Sequence, residues 1–357
     1  MLSFTKVKVL FIYLILAFAF FFASLNFINN NLVDKKVNLG LDLQGGSYIL
    51  LEIDTKPLVN QKLQAKVIPI KKLLNENKID FKNFIISPDS ISITIGREKQ
   101  KKLKNLFFKQ QENSVNNFIP EYNKFELDLE FSEDNTLIQF SSFGLISLNN
   151  AALKQSIEII RRRIDDVGTK EPTILQRGEK RILVELPGLK DPERIKKLLG
   201  KTAQLNFRLV SDNDEFGVDK LISENGENLN ISKRIIMSGE NLIDAQPNFN
   251  SQSNEPTVSF TLDRLGAQKF GRATTDNVGK RLAIVLDGKI ISAPSINEPI
   301  TGGSGIISGN FSFQEATDLS LLLRSGALPT PLNVVEERTV GPDLGEDSIK
   351  SGITSLI

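Results

Sequence analysis

Residues 149–210, NNAALKQSIEIIRRRIDDVGTKEPTILQRGEKRILVELPGLKDPERIKKLLGKTAQLNFRLV, decide how the rest of the chain is read. Leu153, Ile157, Ile160, Ile164 and Val167 recur at spacings of four, three, four and three, so they form one apolar stripe on a helix. Asn149 or Asn150 supplies a start cap and Gly168 an end. Residues 173–176 and 181–186 read as strands joined by a polar turn over 177–180. Asp191 then caps a short helix with Pro192 in its first turn and Gly200 at its close, and 203–210 is a further strand. Helix, strand, strand, helix, strand, with a strand before them, is the order of a split βαβ plait.

The same order appears upstream. A strand from Gly46 to Ile53 leads to a helix over 58–74 with a kink expected at Pro69. Strands over 84–87 and 90–95, a helix near 98–111, and strands near 125–131 and 136–140 follow. Downstream the character changes: 211–230 is polar and acidic, 234–237 is strand-like, and 248–255 is a loop of low hydrophobicity. A strand over 257–262 precedes a helix capped by Asp263, and 281–286 and 289–293 flank Asp287-Gly288, a type I′ hairpin turn. Ser312 and Glu315 have the spacing of a capping box. The helix they open carries Ala316, Leu319, Leu322 and Leu323 and ends at Gly326, and Pro329 and Pro331 impose an extended exit. Residues 332–340 form a last strand that rejoins the earlier sheet. The expected class is therefore α+β.

An unbroken apolar run covers 9–25, with no charge between Lys8 and Asp34. A helix over 9–28 is about 30 Å long, one hydrocarbon core. The A-x-A triplet Ala17-Phe18-Ala19 lies inside that run and is followed by three phenylalanines, which favours an uncleaved anchor over a signal peptide. Lys6 and Lys8 before it and Lys35 and Lys36 after it leave the orientation open. At the other end hydrophobicity rises over 349–357, and 341–357 reads as the start of a next membrane segment in a chain cut short.

Forty-four basic residues face 43 acidic ones, a net charge of +1 that argues against nucleic acid as a partner. With no Cys and no His, thiolate nucleophiles, Ser-His-Asp triads and ordinary zinc sites are excluded. The basic runs 99–104 and 161–163 read as solvated helix faces, and Asp165 and Asp166, adjacent on a helix, point different ways. The glycines of 40–46 lead into a strand with no following Lys, so they make a bulged strand entry rather than a phosphate cradle. Gly302-Gly303-Ser304-Gly305 meets the same objection and reads as a mobile surface loop. No catalytic, cofactor-binding or metal-ligating residue is nominated, and no enzyme activity is expected.

These phrases together resemble the SecD family of the bacterial protein-export machinery. The resemblance rests on Gly40, Leu41, Asp42, Leu43, Gln44, Gly45 and Gly46, then on Arg162-Arg163-Ile164 through Gly168, Glu171 and Pro172. It continues through residues 181–188 and 205–210, LLLRSGALP at 321–329, and Glu337-Arg338-Thr339-Val340-Gly341-Pro342. It is weakest over 54–143 and 211–254. The resemblance implies a cytoplasmic N-terminus and a membrane helix within 1–28. It implies an extracytoplasmic, ferredoxin-like base over 37–210 and 312–340, with 54–143 an extra ferredoxin-like unit, and an inserted α+β head over 211–311. It also implies five further membrane helices, which in the family carry the acidic residues linked to proton flow. The implied role is accessory: with SecF and the SecYEG channel, helping proton-motive-force-driven export of unfolded polypeptide across the bacterial inner membrane, with the main body periplasmic and lipid around the anchor. The implied head is mobile, with a hinge at Val210 and Ser211 on one strand and Gly309, Asn310 and Phe311 on the other. The alternatives are another transporter of the wider RND group, or a membrane-tethered binding module.

Overall fold

The computed structural model describes residues 6–25, 45–109, 115–169, 172–189, 191–211, 217–223, 226–251, 253–340 and 354. By contacts the chain forms two units, Met1–Gly45 with Val340–Ile357, and Gly46–Thr339. In the first, α1 (Lys6–Leu25) is a 20-residue helix whose side chains are described as far as Phe22, with Phe11, Phe18 and Phe20 all exposed. Among the described residues no helix is long and apolar enough to cross a membrane.

The second unit holds the sheets. The first sheet has the order β18-β1-β9-β8, from β1 (Gly46–Ile53), β8 (Thr173–Arg177), β9 (Arg181–Pro187) and β18 (Leu332–Val340). β1 and β9 are antiparallel, with Ile49 opposite Val184 and Leu51 opposite Ile182. These side chains pack on Leu153, Ile160 and Ile164 of α4 (Ser142–Val167) and Leu198 of α5 (Pro192–Gly200). Each fully buried aliphatic side chain contributes about 1.5–3 kcal/mol. α4 starts well before the expected cap. Ser141 Oγ accepts from Gly144 N at 2.9 Å, and Leu148 and Ala152 carry the apolar stripe back toward that end, so Asn149 and Asn150 fall inside the helix.

Residues between β1 and α4 build a region with its own core. It contains α2 (Lys56–Glu76), α3 (Arg97–Phe107) and a sheet of order β2-β3-β7-β6. The strands are β2 (Lys82–Ile86), β3 (Ser90–Thr94), β6 (Leu127–Ser132) and β7 (Asn135–Phe140). Leu63, Ile70, Ile91, Leu103, Phe107 and Ile138 fill it. A small hairpin, β4 (Phe118–Ile119) with β5 (Lys124–Phe125), was not expected, and α2 runs through Pro69.

A five-stranded sheet, β11-β12-β10-β15-β16, draws strands from both sides of the expected base boundary at 210. β10 (Leu205–Val210) is its central strand, antiparallel to β12 (Asn228–Ser238) on one side and β15 (Leu282–Leu286) on the other. The physical reason is non-local pairing: Phe207 lies opposite both Met237 and Ile284, so β10 buries itself among later strands. β11 (Val218–Ile222) and β16 (Lys289–Ser292) form the edges, and a bridge from Ser223 to Ile290 brings them together over Leu229, Ile231, Val285 and Ile290.

The last sheet is β13-β14-β17, from β13 (Leu242–Phe249), β14 (Pro256–Leu262) and β17 (Ser304–Ser308). Ser304 and Gly305 thus belong to a strand and not to the expected loop. α6 (Arg264–Asp276) starts at Asp263, whose side chain accepts from Gly266 N. α7 (Phe313–Ser325) starts on the Ser312–Glu315 capping box. α7 serves two cores: Leu322 packs in the first, and Ala316, Leu319 and Leu323 join Phe207, Phe260 and Phe270 in the other.

Candidate functional site

Of the motif residues expected to carry the family signature, Gly40, Leu41, Asp42, Leu43, Gln44, Gly341 and Pro342 lie outside the described residues. Gly45 and Gly46 have φ of 68° and 136°, a backbone that favours glycine, and Gly46 opens β1. Glu337 and Arg338 lie on β18, the neighbour of β1, so these two and Gly46 share one sheet. Glu337 accepts from Lys196 Nζ at 2.9 Å, and Arg338 pairs with Glu336 on the surface. Glu193, then Glu337, hold the Lys196 ammonium above its ordinary pKa.

The residues expected to form a hinge are bound into structure. Val210 N donates to Arg281 O at 3.0 Å and Ser211 N to Asn230 O at 2.8 Å, both at the end of β10 in the five-stranded sheet. A Cβ on Gly309 would come within 2.8 Å of the Phe311 ring, which packs against the core around Phe260. Asn310 lies exposed beside them.

The passage between the first sheet and the five-stranded one lies earlier, at 201–204, and one buried arginine organises it. Arg163 is 1% exposed. Its Nη1 donates to Leu198 O at 2.7 Å and Lys201 O at 2.6 Å, its Nη2 to Gly326 O at 3.2 Å, and its Nε to Ser325 Oγ at 3.3 Å. Three of these acceptors are the closing carbonyls of α5 and α7, which have no partner within their own helices, and the fourth is a hydroxyl in the last turn of α7. One guanidinium therefore caps two helix ends, where their dipoles are negative. Burial lowers the Arg163 pKa to about 10, and the charge of Asp287 opposes that shift, so the group stays cationic at neutral pH.

Asp287 completes the joint. It sits in the β15–β16 turn with φ 48°, followed by Gly288 at 79°. Its carboxylate accepts from Thr202 Oγ1, from Ala203 N at 3.1 Å and from Gln204 N at 2.8 Å. Two ion pairs brace the same helices outside: Arg194 with Asp318 at 2.7 Å, and Arg324 with Asp166 at 3.0 Å. The arrangement has charge and hydrogen-bond donors, its hydroxyls at Thr202 and Ser325 are engaged by Asp287 and Arg163, and among the described residues no acidic cluster is placed to hold a metal. Its chemistry is mechanical: it fixes α4, α5, α7 and the β15–β16 turn against one another.

Sequence reasoning placed Arg163 on a solvated face, and that is corrected here. Arg161 is exposed and pairs with Glu158, whereas Arg163 points inward. The available signal was position: Arg163 is three residues after Ile160 and seven after Ser156, both buried on the inner side of α4.

Three matches to known families follow one another along the chain. The SecD/SecF GG motif covers residues 32–57, the N-terminal part of the SecDF P1 domain 153–212, and the SecDF P1 head subdomain 215–330. Protein translocase subunit SecD of Rickettsia conorii is 40% identical over 354 residues, 94% of this chain and 65% of that protein. The SecD of Acetobacter pasteurianus is 40% identical over 332 residues, 90% of this chain and 63% of that protein. A crystal structure of SecDF in a super-membrane-facing form is 28% identical with a TM-score of 0.53, over 98% of this chain and 37% of that one. The chain thus spans about two thirds of the length of these SecD relatives, 65% and 63%.

Proposed function

The chain belongs to the SecD family of protein translocase subunits, and from that premise we propose that it is a non-enzymatic export component. It assists the passage of unfolded polypeptide across the bacterial inner membrane, with SecF and SecYEG as partners. The observation that carries this reading is the 40% identity to a SecD subunit sustained over 94% of the chain. α1, with the apolar residues that follow it to Ile28, is the anchor, and the body over 46–339 lies on the periplasmic side. The strand order β18-β1-β9-β8 supports a ferredoxin-like base, in which β18 takes the fourth-strand place first given to β10. The head is then entered near 210–215, between the matched stretches 153–212 and 215–330, and the joint at 201–204 holds the segment just before it.

Depletion of this protein in its own cells tests the reading. Secretory precursors are expected to accumulate on the cytoplasmic side, and the protein is expected to co-purify with SecF and SecYEG from membranes. Unchanged export on depletion, with no Sec component recovered, would overturn it.

A further inference from the structure

Among the described residues, the open edge of β17 has no counterpart at the other sheet edges. In the four sheets of three or more strands, the other edge strands each carry charge: Glu336, Glu337 and Arg338 on β18, Arg177 on β8, Asp219 and Lys220 on β11, and Lys289 on β16. Asp244 on β13, Lys82 on β2, and Asp128 and Glu130 on β6 complete the set. Charge on an edge is how proteins prevent stray strand pairing. β17 is Ser-Gly-Ile-Ile-Ser, with no charge and no proline.

The phase of its ladder fixes which backbone groups are free to pair. β14 and β17 are antiparallel, with Thr261 opposite Ser304 and Ser259 opposite Ile306. Leu262 N donates to Gly303 O at 2.8 Å, which makes that pair a hydrogen-bonded one in the same register. Bonded and non-bonded pairs alternate along an antiparallel ladder, so Gly305 and Ile307 point their N–H and C=O groups at β14. Ser304, Ile306 and Ser308 point theirs the other way, at the open edge. All three are exposed, Ile306 at 64%, whereas Ile307 is fully buried. Gly305 lets the strand lie flat on the sheet core, since a Cβ there would meet the Phe260 ring at 2.5 Å.

We infer that the β17 edge takes up an extended segment of unfolded polypeptide as an added strand. This deepens the proposed function and rests on it. The recognition is by backbone: a chain in strand conformation presents N–H and C=O groups at the same two-residue spacing, whatever its sequence. Two small serines flank Ile306 and no charge selects against a passing segment, which suits a protein that must handle many different clients.

The test uses the 357-residue chain in detergent and a fluorescein-labelled ten-residue peptide of alternating Thr and Val, read by anisotropy. A second peptide is N-methylated at alternate residues, which removes the donors along one of its edges. Ile306→Pro deletes an outward N–H that the β14 ladder does not use, a change edge strands tolerate. Ile306→Lys adds an edge charge without touching the backbone, and keeps the test open if the proline variant does not fold. The plain peptide is expected to bind, with at least about tenfold weaker binding for Ile306→Pro, for Ile306→Lys and for the methylated peptide. Equal binding by wild type and both variants, or of both peptides, would remove the edge while leaving client handling intact. No binding of the plain peptide to wild type would overturn both. Wild-type dimers that Ile306→Pro abolishes, without peptide uptake, would make the edge a contact between copies and overturn the inference.

Discussion

The joint at 201–204 and the edge of β17 treat backbone polar groups in opposite ways. At the joint, Arg163 meets the closing carbonyls of two helices, and Asp287 meets two amides of the connecting segment. At β17 three residues turn their backbone groups outward with no charged guard. Helix ends and strand edges both leave groups unpaired by their own element, and the side chains supplied or withheld decide the outcome. The joint is built to hold one arrangement, and the edge is built to accept a partner.

The largest effect expected from breaking this contrast is at Arg163. Arg163→Ala leaves the buried carbonyl of Leu198 and the partly buried carbonyls of Lys201 and Gly326 without their donor. Leaving a buried acceptor without its donor costs about 1–3 kcal/mol. Urea denaturation should show a loss of that size, with far-UV dichroism of the residual folded protein unchanged. A loss near that of an ordinary surface change, within about 0.5 kcal/mol, would mean that the guanidinium holds nothing in place.

A smaller effect sharpens the comparison from the other end of α7. Glu315 accepts from Ser312 N at 2.8 Å and from Ser312 Oγ at 2.9 Å, and the backbone bond is the main cause that holds its pKa below the ordinary 4.5. A carboxylate whose folded pKa is depressed adds stability above its unfolded value, and that stability is lost as pH falls through the folded value. Thermal stability should therefore fall below about pH 4.5 partly through this cap. Glu315→Gln should be slightly less stable at neutral pH and less sensitive to acid than wild type. Parallel acid profiles for the two proteins would remove Glu315 from the account.

Local chemistry was legible in the sequence, and partner choice was not. The stripe Leu153–Ile164 and the caps at Asp191, Asp263 and Ser312 stand where their spacing put them, as does the Asp287-Gly288 turn, because each is decided within a few residues. β10 was assigned to the wrong sheet because its alternation cannot say whether Phe207 faces neighbours early or late in the chain. β17 read as a loop because two of its first residues are Ser and Gly, and the strand exists only through pairing with β14. Arg163 was hidden by its own neighbours: three arginines in a row look solvated, although helical geometry turns one of them inward. Of the family phrases, Gly46, Glu337 and Arg338 lie on neighbouring strands, an adjacency that a separation of nearly 300 residues does not disclose.

Native-state amide hydrogen exchange, measured with and without the Thr/Val peptide, tests the contrast most directly because it reads both regions in one sample. The account predicts slow exchange at Ala203 and Gln204 in both states. It predicts fast exchange at Ser304, Ile306 and Ser308 in the free chain, slow exchange there once peptide is bound, and slow exchange throughout at Gly305 and Ile307. If Ser304, Ile306 and Ser308 are already as protected as Gly305 and Ile307 in the free chain, or if Ala203 and Gln204 exchange freely, then edge and joint do not differ as described and the account is contradicted.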